Sequence, residues 1–192
     1  HLQTLSARFY QIATEPIRGN FNEKIQLKGK EKDFPSFEQR AFAYYATHHD
    51  TRLLAAETGM GKTGAAYLAL ENTDCEKILI IAPASGKVTW QIEEEKLFKK
   101  SGNIYSINGS DDIQKAIESD KKYTIISQEL LGLADHDPHL AEKLENMIVN
   151  MGIDSAVIDE IDNFSNAKSI SAQHTEKLLE LIRNNYEKKT GK

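Results

Sequence analysis

The segment from Leu53 to Gly64 constrains the fold more than any other part of the sequence. It starts as a short apolar run, passes through Gly59 and Gly61, and enters an alanine-rich stretch at residues 65–70 that predicts a helix. A strand, a glycine-containing loop and a helix that opens with Lys-Thr are the context of a phosphate-binding loop. Glycine tolerates backbone angles that a Cβ would forbid, so the loop amides can surround an anion. The helix N-terminus adds orphan N–H groups and the positive end of its dipole.

The loop predicts roles for individual residues. Lys62 is expected to reach the β- and γ-phosphates of a nucleotide, and the Thr63 hydroxyl to bind Mg²⁺. The usual pattern, G-x-x-x-x-G-K-S/T, has a glycine where this chain has Ala56, so the motif departs by one residue. The alternative is a glycine-rich turn with an accidental lysine, but the flanking strand and helix favour a phosphate site. The predicted nucleotide-binding residues of the loop are Thr58, Gly59, Met60, Gly61, Lys62, Thr63 and Gly64.

Composition limits the number of domains, the compartment and the partners that this chain can have. Its 192 residues suffice for one domain with a substantial core, or for one domain with an appendage. No apolar run is long enough to cross a bilayer and no signal peptide opens the sequence, so we expect an intracellular protein without a membrane partner. Cys75 is the single cysteine, which fits a reducing compartment. The formal charge of −5 gives no support for nucleic-acid binding, although a local basic strip could still bind phosphates.

Apolar runs alternate with helical patterns after the loop. Further strands are expected at residues 77–83, 104–107, 123–127 and 156–160, and helices at residues 86–100, 111–119, 138–150 and 169–185. Continuous apolar runs suit strands buried on both faces, so the pattern predicts an α/β protein whose central, mostly parallel sheet is flanked by helices. Ligands of such sheets bind beyond the carboxyl ends of the strands, which is where the phosphate loop, Pro83, Asp159 and Glu160 are expected.

The N-terminal part is expected to differ from the rest. Residues 1–35 predict an extension with a helical stripe followed by a polar connector, and residues 36–192 predict the main domain. Ser36 and Gln39 form a capping-box pattern at the start of a helix over residues 37–47.

Two finer expectations concern the helices nearer the C-terminus. In the helix at residues 86–100, the apolar positions are Val88, Ile92 and Phe98. Residues 188–192 are polar and predict a soft tail beyond the last helix.

An acidic pair follows the last apolar strand. A carboxylate at Asp159 can hold Mg²⁺, directly or through water, opposite Lys62 and Thr63. The neighbouring Glu160 can orient or deprotonate an attacking water. Taken alone, such a pair is more often a surface feature at the end of a strand. Together with a preceding phosphate loop, it favours a site for nucleotide hydrolysis.

Five stretches resemble the first motor lobe of superfamily-two helicases, especially the Swi/Snf-type translocases. They are the segment around Gln39, the phosphate loop at 56–63, residues 82–85 with Trp90 following, residues 125–131, and residues 159–169. The resemblance covers about residues 36–170. Two departures stand out: the acidic motif is Asp-Glu-Ile-Asp instead of Asp-Glu-Ala-His, and Ser165 stands where lysine is common.

The resemblance implies a RecA-like, ATP- and Mg²⁺-binding lobe of a motor that acts on nucleic acid, with double-stranded DNA favoured over RNA. Gln39 would read the adenine, Lys62, Asp159 and Glu160 would be catalytic, and Thr63 and Asp159 would hold the metal. The phosphates of the nucleic acid would be contacted without reading sequence. The residues expected to border them are Pro83, Ala84, Ser85, Gly86, Lys87, Ser127, Gln128 and Glu129.

The resemblance also implies a second motor lobe in addition to this one. Motors of this kind need a second RecA-like lobe with arginine fingers, in the same or a partner chain. Such a finger contributes about 10³–10⁵ in rate in related NTPases. This chain alone is therefore expected to bind ATP and to hydrolyse it weakly or not at all.

Two other classes of function stay open from the sequence. The first is another P-loop enzyme, such as a small-molecule kinase or an AAA-type ATPase, and the segments at Pro83–Ser85 and Gln39 argue against it. The second is a binding module that keeps the fold without activity, and the intact residues of the phosphate loop and the acidic pair argue against that.

Overall fold

The computed structural model describes residues 36, 39, 42, 43, 46, 59–98, 102–160 and 170–191. The chain forms two compact units, one of His1–Asp74 with Ile92–Lys100 and the other of Cys75–Gln91 with Ser101–Lys192. The expected extension at 1–35, the strand before the phosphate loop and Thr58 lie outside the described residues.

The first unit contains the helix that follows the phosphate loop. This helix, α1, spans Lys62–Glu71, and it begins three residues before the alanine-rich stretch that predicted it. Asn72 caps its C-terminus, and the Asn72 side-chain Nδ2 donates to the Leu68 carbonyl at 2.7 Å. The described residues of the helix expected at 37–47 are also helical, and they contribute to a small core with α1. That core contains Ala43, Leu68 and Ala69, with Phe42 and Ala46 packed against it.

The second unit contains a four-stranded sheet. Its strands are β1 (Ile78–Ala82), β2 (Ile104–Ser106), β3 (Tyr123–Ser127) and β4 (Ser155–Ile158). They lie in the order β2-β3-β1-β4, and each neighbouring pair is parallel. Since β1 lies between β3 and β4 and each of its residues is buried, the prediction of a strand buried on both faces is confirmed. The α/β class is confirmed as well.

Helices connect and follow these strands. They are α2 (Lys87–Phe98), α3 (Asp112–Ser119), α4 (Gln128–Ala134), α5 (Pro138–Met151) and α6 (Ile170–Thr190). The core of the second unit is formed by side chains of the sheet and of α3 to α6, among them Leu79, Ile81, Ile126, Leu144, Ile148, Leu178 and Ile182. None of the helices in the described ranges is both long and apolar enough to cross a membrane.

Helix α4 was absent from the expectations. It spans seven residues directly after β3 and begins within the family-like segment at 125–131. Ser127 ends the strand and caps the helix, because its Oγ accepts from the Leu130 N–H at 3.1 Å. A helix of two turns is too short to show a helical period, so the serine cap was the one available signal.

Two of the three apolar candidates of α2 do not contribute to the core. Val88 and Ile92 are 57% and 46% exposed, whereas Trp90 and Glu94 are buried at 1% and 2% exposure. Apolar periodicity does not mark the buried side of this helix, because that side includes the polar residues Lys87 and Glu94. The side chain of Phe98 lies outside the described residues.

The expected soft tail was also wrong, because α6 continues to Thr190. Near its end, the Lys189 ammonium donates to the buried Asp154 carboxylate at 2.7 Å and lies 3.2 Å from Glu76. Asp154 also accepts the backbone N–H groups of Glu76 and Lys77 at 3.1 and 3.2 Å. One carboxylate therefore joins the end of α6 to the segment that leads into β1.

Candidate functional site

The phosphate loop ends in two glycines with left-handed backbone angles. Gly59 has φ +85° and Gly61 has φ +72°, and both are exposed together with Met60. Gly61 directly precedes α1, whose N-terminus has no side-chain cap and no acidic residue in its first turn. No acidic residue of the helix's own first turn therefore competes for its positive end, which fits the binding of an anion.

The remaining residues of the loop occupy the first turn of the same helix. Lys62 and Thr63 are half-buried at its first two positions, and Gly64 is buried at the third. The Ala65 N–H closes the turn on the Gly61 carbonyl at 3.0 Å. The sequence-predicted residues from 59 to 64 are thus brought together in a single loop and turn, with the groups that a nucleotide phosphate and its Mg²⁺ require.

Gln39 connects the start of its own helix to this loop. Its Oε1 accepts from the Ser36 N–H at 2.9 Å, and its backbone N–H donates to the Ser36 Oγ at 3.3 Å, which confirms the capping box. Its Nε2 donates to the carbonyl of Gly61 at 3.1 Å. The sequence revealed the cap, but the contact with Gly61, 22 residues away, required the structure.

We expect Gly61→Ala to destabilise the protein more than Gly59→Ala does. Both positions have positive φ, where an L-residue costs about 1–2 kcal/mol. Only at Gly61 would the new Cβ lie 2.6 Å from Gln39 Nε2, whereas nothing lies within 4 Å at Gly59. The additional loss of the Gln39 hydrogen bond should add about 1 kcal/mol in urea unfolding. Equal losses in the two variants would show that Gln39 does not support the loop.

In the second unit, Asp159 follows β4 and contacts three other elements. Its N–H donates to the Ile81 carbonyl at 2.8 Å, and its own carbonyl accepts from Gln128 Nε2 at 2.7 Å. Its carboxylate Oδ2 accepts from the indole Nε1 of Trp90 at 2.9 Å. The next residue, Glu160, is exposed and has φ +52°. The strand expected through residue 160 ends at Ile158, so both acids lie in the turn beyond the sheet edge.

The residues predicted for nucleic-acid contact fall into two groups. Pro83, Ala84, Ser85 and Gly86 form a turn after β1, in which the Gly86 N–H donates to the Pro83 carbonyl at 2.8 Å, and Ala84 and Ser85 are exposed. The second group already has protein partners: Ser127 caps α4, Gln128 binds Asp159, and Lys87 is buried.

Lys87 is anchored inside the second unit. Its ammonium donates to the Ile107 carbonyl at 2.6 Å and to Asn108 Oδ1 at 2.7 Å. Burial lowers the pKa of this ammonium, although Asp112 and Glu129 act in the opposite direction. The side chain thus fixes the start of α2, and its charge is directed away from the solvent.

The carboxylate of Glu129 contacts the exposed turn of residues 83–86. The Ala84 N–H donates to the Glu129 carboxylate, with distances of 3.2 and 3.3 Å to its two oxygens. Hydrogen bonds from the backbone N–H of Glu129 itself and from that of Ala84 lower the pKa of this carboxyl, against a smaller effect of burial, so it stays charged at neutral pH. The sequence placed Glu129 at the end of a segment expected to border phosphates, but its contact with Ala84 became evident only in the structure.

A parallel sheet with helices between its strands, and a glycine loop that leads into a helix, are typical of nucleotide-binding α/β proteins. A protein-family model described as DEAD/DEAH box helicase matches residues 37–190, and the chain belongs to that family. Among curated proteins, "Helicase swr1" from Schizosaccharomyces pombe is 29% identical over 146 residues, which are 69% of this chain and 11% of that protein. The chain therefore spans about a tenth of that relative's length. These findings confirm the resemblance to the first, RecA-like lobe of superfamily-two helicases.

Proposed function

We propose that this chain is the ATP-binding first lobe of an ATP-dependent motor that moves along or remodels double-stranded DNA. The observation that carries the proposal is the phosphate loop, where two glycines of positive φ precede a helix N-terminus that no side chain caps. Family membership supports the nucleic-acid part of the proposal. The Swi/Snf-like segments, including Trp90, support duplex DNA over RNA.

The proposed roles follow from the chemistry of each side chain. In the first unit, Lys62 and the loop amides bind the phosphates, the Thr63 hydroxyl is a Mg²⁺ ligand, and Gln39 reads the adenine. In the second unit, the Asp159 carboxylate is a Mg²⁺ ligand and Glu160 orients and deprotonates the attacking water. Bound Mg²⁺ would supply charge neutralisation at the phosphates. In the described part of the chain no three His, Cys, Asp or Glu residues cluster as a metal centre, and Mg²⁺ in nucleotide sites typically uses one or two carboxylates, phosphates and water.

The nucleic-acid surface is proposed at the turn of residues 83–86. The exposed Ser85 can donate to a phosphate there, and such contacts carry no sequence information. Turnover at a physiological rate then depends on a second RecA-like lobe that supplies arginine fingers.

We expect Glu129→Gln to strengthen binding of duplex DNA. The change removes a negative charge from the turn at Ala84 while keeping an oxygen that can accept its N–H. One charge near a phosphate is worth about 1 kcal/mol in a watery environment, roughly fivefold in affinity, and the gain should shrink as salt rises. Fluorescence anisotropy of a labelled duplex would measure it.

The matched control is Glu142→Gln, which alters net charge equally at an exposed position of α5. Equal gains in the two variants would contradict a local role of Glu129 and indicate an effect of net charge alone. A gain confined to Glu129→Gln would support a phosphate site at the turn.

The direct test of nucleotide binding is calorimetric titration of ATP into the chain with and without Mg²⁺, with Lys62→Ala as the blank. We expect Mg²⁺-dependent binding that Lys62→Ala weakens strongly. Lack of binding by the unmodified chain would overturn the proposal.

A further inference from the structure

Asp159 is held by hydrogen bonds at its N–H, its carbonyl and one carboxylate oxygen. The three partners come from β1, from α4 and from α2, through Ile81, Gln128 and Trp90 respectively. Its other carboxylate oxygen, Oδ1, has no hydrogen-bond partner in the described ranges of the chain. An aspartate fixed in this way presents one particular oxygen to a ligand.

The turn that follows explains why such fixation is needed. Glu160 is a non-glycine residue at φ +52°, a conformation that persists only where the surrounding structure enforces it. Here the contacts of Asp159 with Ile81 and Gln128 fix the backbone directly before the strained residue. The orientation of both acidic side chains therefore depends on the same set of contacts.

Trp90 is well suited to hold a metal-binding carboxylate. The indole Nε1 is a donor only, so it cannot compete with the carboxylate for a cation. The ring is 1% exposed and fixed by packing, which makes the position of its N–H definite. Partners that hydrogen-bond to ligating groups orient them and tune their affinity for metal.

We propose that Trp90 is a positioning residue that orients the Asp159 carboxylate so that Oδ1 is available to Mg²⁺. This proposal rests on the proposed function, because it assumes that Asp159 is a metal ligand. Gln128 supports the same arrangement through its hydrogen bond to the backbone carbonyl of Asp159. A role for Trp90 in packing alone would require only that its N–H find some acceptor.

The wild-type chain offers a spectroscopic test because Trp90 is the one tryptophan in the 192 residues. Its indole N–H gives a single cross-peak in a ¹⁵N–¹H correlation spectrum. We expect this peak to move when Asp159→Asn removes the charge of the acceptor. We also expect it to move when Mg²⁺ is added to the ATP-saturated chain. A peak insensitive to both changes would overturn the proposal.

The functional test uses Trp90→Phe, which removes the N–H and keeps much of the apolar ring. Loss of such a partner typically weakens metal binding by about 10–100-fold. We expect a weakening of this size in the Mg²⁺-dependent part of ATP binding, while ATP affinity without metal is unchanged. The control is Ile148→Val in α5, which loosens the core without touching Asp159 and should leave both affinities unchanged.

The outcomes separate this proposal from the proposed function. If wild type binds no Mg-ATP, the proposed function fails and the metal-positioning role fails with it. If wild type binds Mg-ATP and Trp90→Phe keeps its full Mg²⁺ dependence, only the role of Trp90 is wrong. Should Trp90→Phe fail to fold, replacing Trp90 with benzothienylalanine, which has sulfur in place of the N–H, allows the same comparison with the ring shape preserved.

Discussion

Replacing Glu160 with glutamine is expected to slow nucleic-acid-stimulated ATP turnover by about 10²–10⁴-fold, the usual contribution of a general base. Glutamine has nearly the same size and can occupy the same exposed position at φ +52°, so the turn after Asp159 should be unchanged. It cannot accept a proton from water at neutral pH. Because Glu160 is not proposed to bind the nucleotide, Mg-ATP affinity should remain within about threefold of wild type, less than 1 kcal/mol.

The measurement is steady-state turnover in the longest form of the protein that contains this chain, with Glu180→Gln as the control for the loss of one charge. Glu180 is exposed on α6 and has no proposed role. Turnover by Glu160→Gln close to wild type would contradict its assignment as the base. A parallel loss of ATP binding would indicate a structural role for Glu160.

The largest effect on stability is expected from Asp154→Ala. The Asp154 carboxylate is 1% exposed and accepts hydrogen bonds from two backbone N–H groups and the Lys189 ammonium. Hydrogen bonds to charged groups are worth about 1.5–3 kcal/mol each, and the cost of burying the carboxylate offsets part of their sum. We expect a loss of about 2–4 kcal/mol in the free energy of unfolding, measured in urea.

A matched control is Asp120→Asn, which removes the charge of an ion pair with Lys77 in which the Asp120 side chain is 88% exposed, and which keeps a residue type that tolerates φ +51°. Exposed pairs contribute about 0–1 kcal/mol, so this variant should be nearly neutral. Similar losses from Asp154→Ala and Asp120→Asn would contradict the proposed attachment of α6.

The pH dependence of this attachment follows from Lys189. Burial lowers the pKa of its ammonium, but the contacts with Asp154 and Glu76 outweigh burial and raise the pKa above the usual 10.5. A raised pKa of a lysine means that its stabilising contribution is complete below the unfolded value and is lost as pH rises through the folded value. The contribution of Lys189 should therefore be constant at neutral pH and disappear only under strongly alkaline conditions.

Local patterns were sufficient to predict most of the described fold. The apolar run at 77–83 gave β1 because a central parallel strand is buried on both faces, which leaves its sequence almost entirely apolar. The phosphate loop was predicted for the same kind of reason, since positive φ at Gly59 and Gly61 demands glycine in the sequence.

The errors arose where distant contacts override local patterns. Helix α6 extends to Thr190 and places Lys189 beside Asp154, 35 residues away, a pairing that no local period reveals. The buried side of α2 includes Lys87 because its ammonium has acceptors near residue 107.

The candidate site shows the same difference between residues that local patterns predict and contacts between residues far apart in the sequence. The acids at 159 and 160 were predicted from their place after an apolar strand. The contact of Trp90 with Asp159 could not be predicted, because it joins residues 69 positions apart. Trp90 was noted for its resemblance to a family motif, and its N–H partner became evident only in the folded chain.

The most direct test of the central claim is ATP turnover by the longest form of the protein that contains this chain. It should be measured alone and with duplex DNA, single-stranded DNA and RNA, with Lys62→Ala as the blank. We expect turnover that rises strongly with duplex DNA and vanishes in Lys62→Ala. Turnover that is the same with every polymer would contradict the motor and favour another kind of P-loop enzyme.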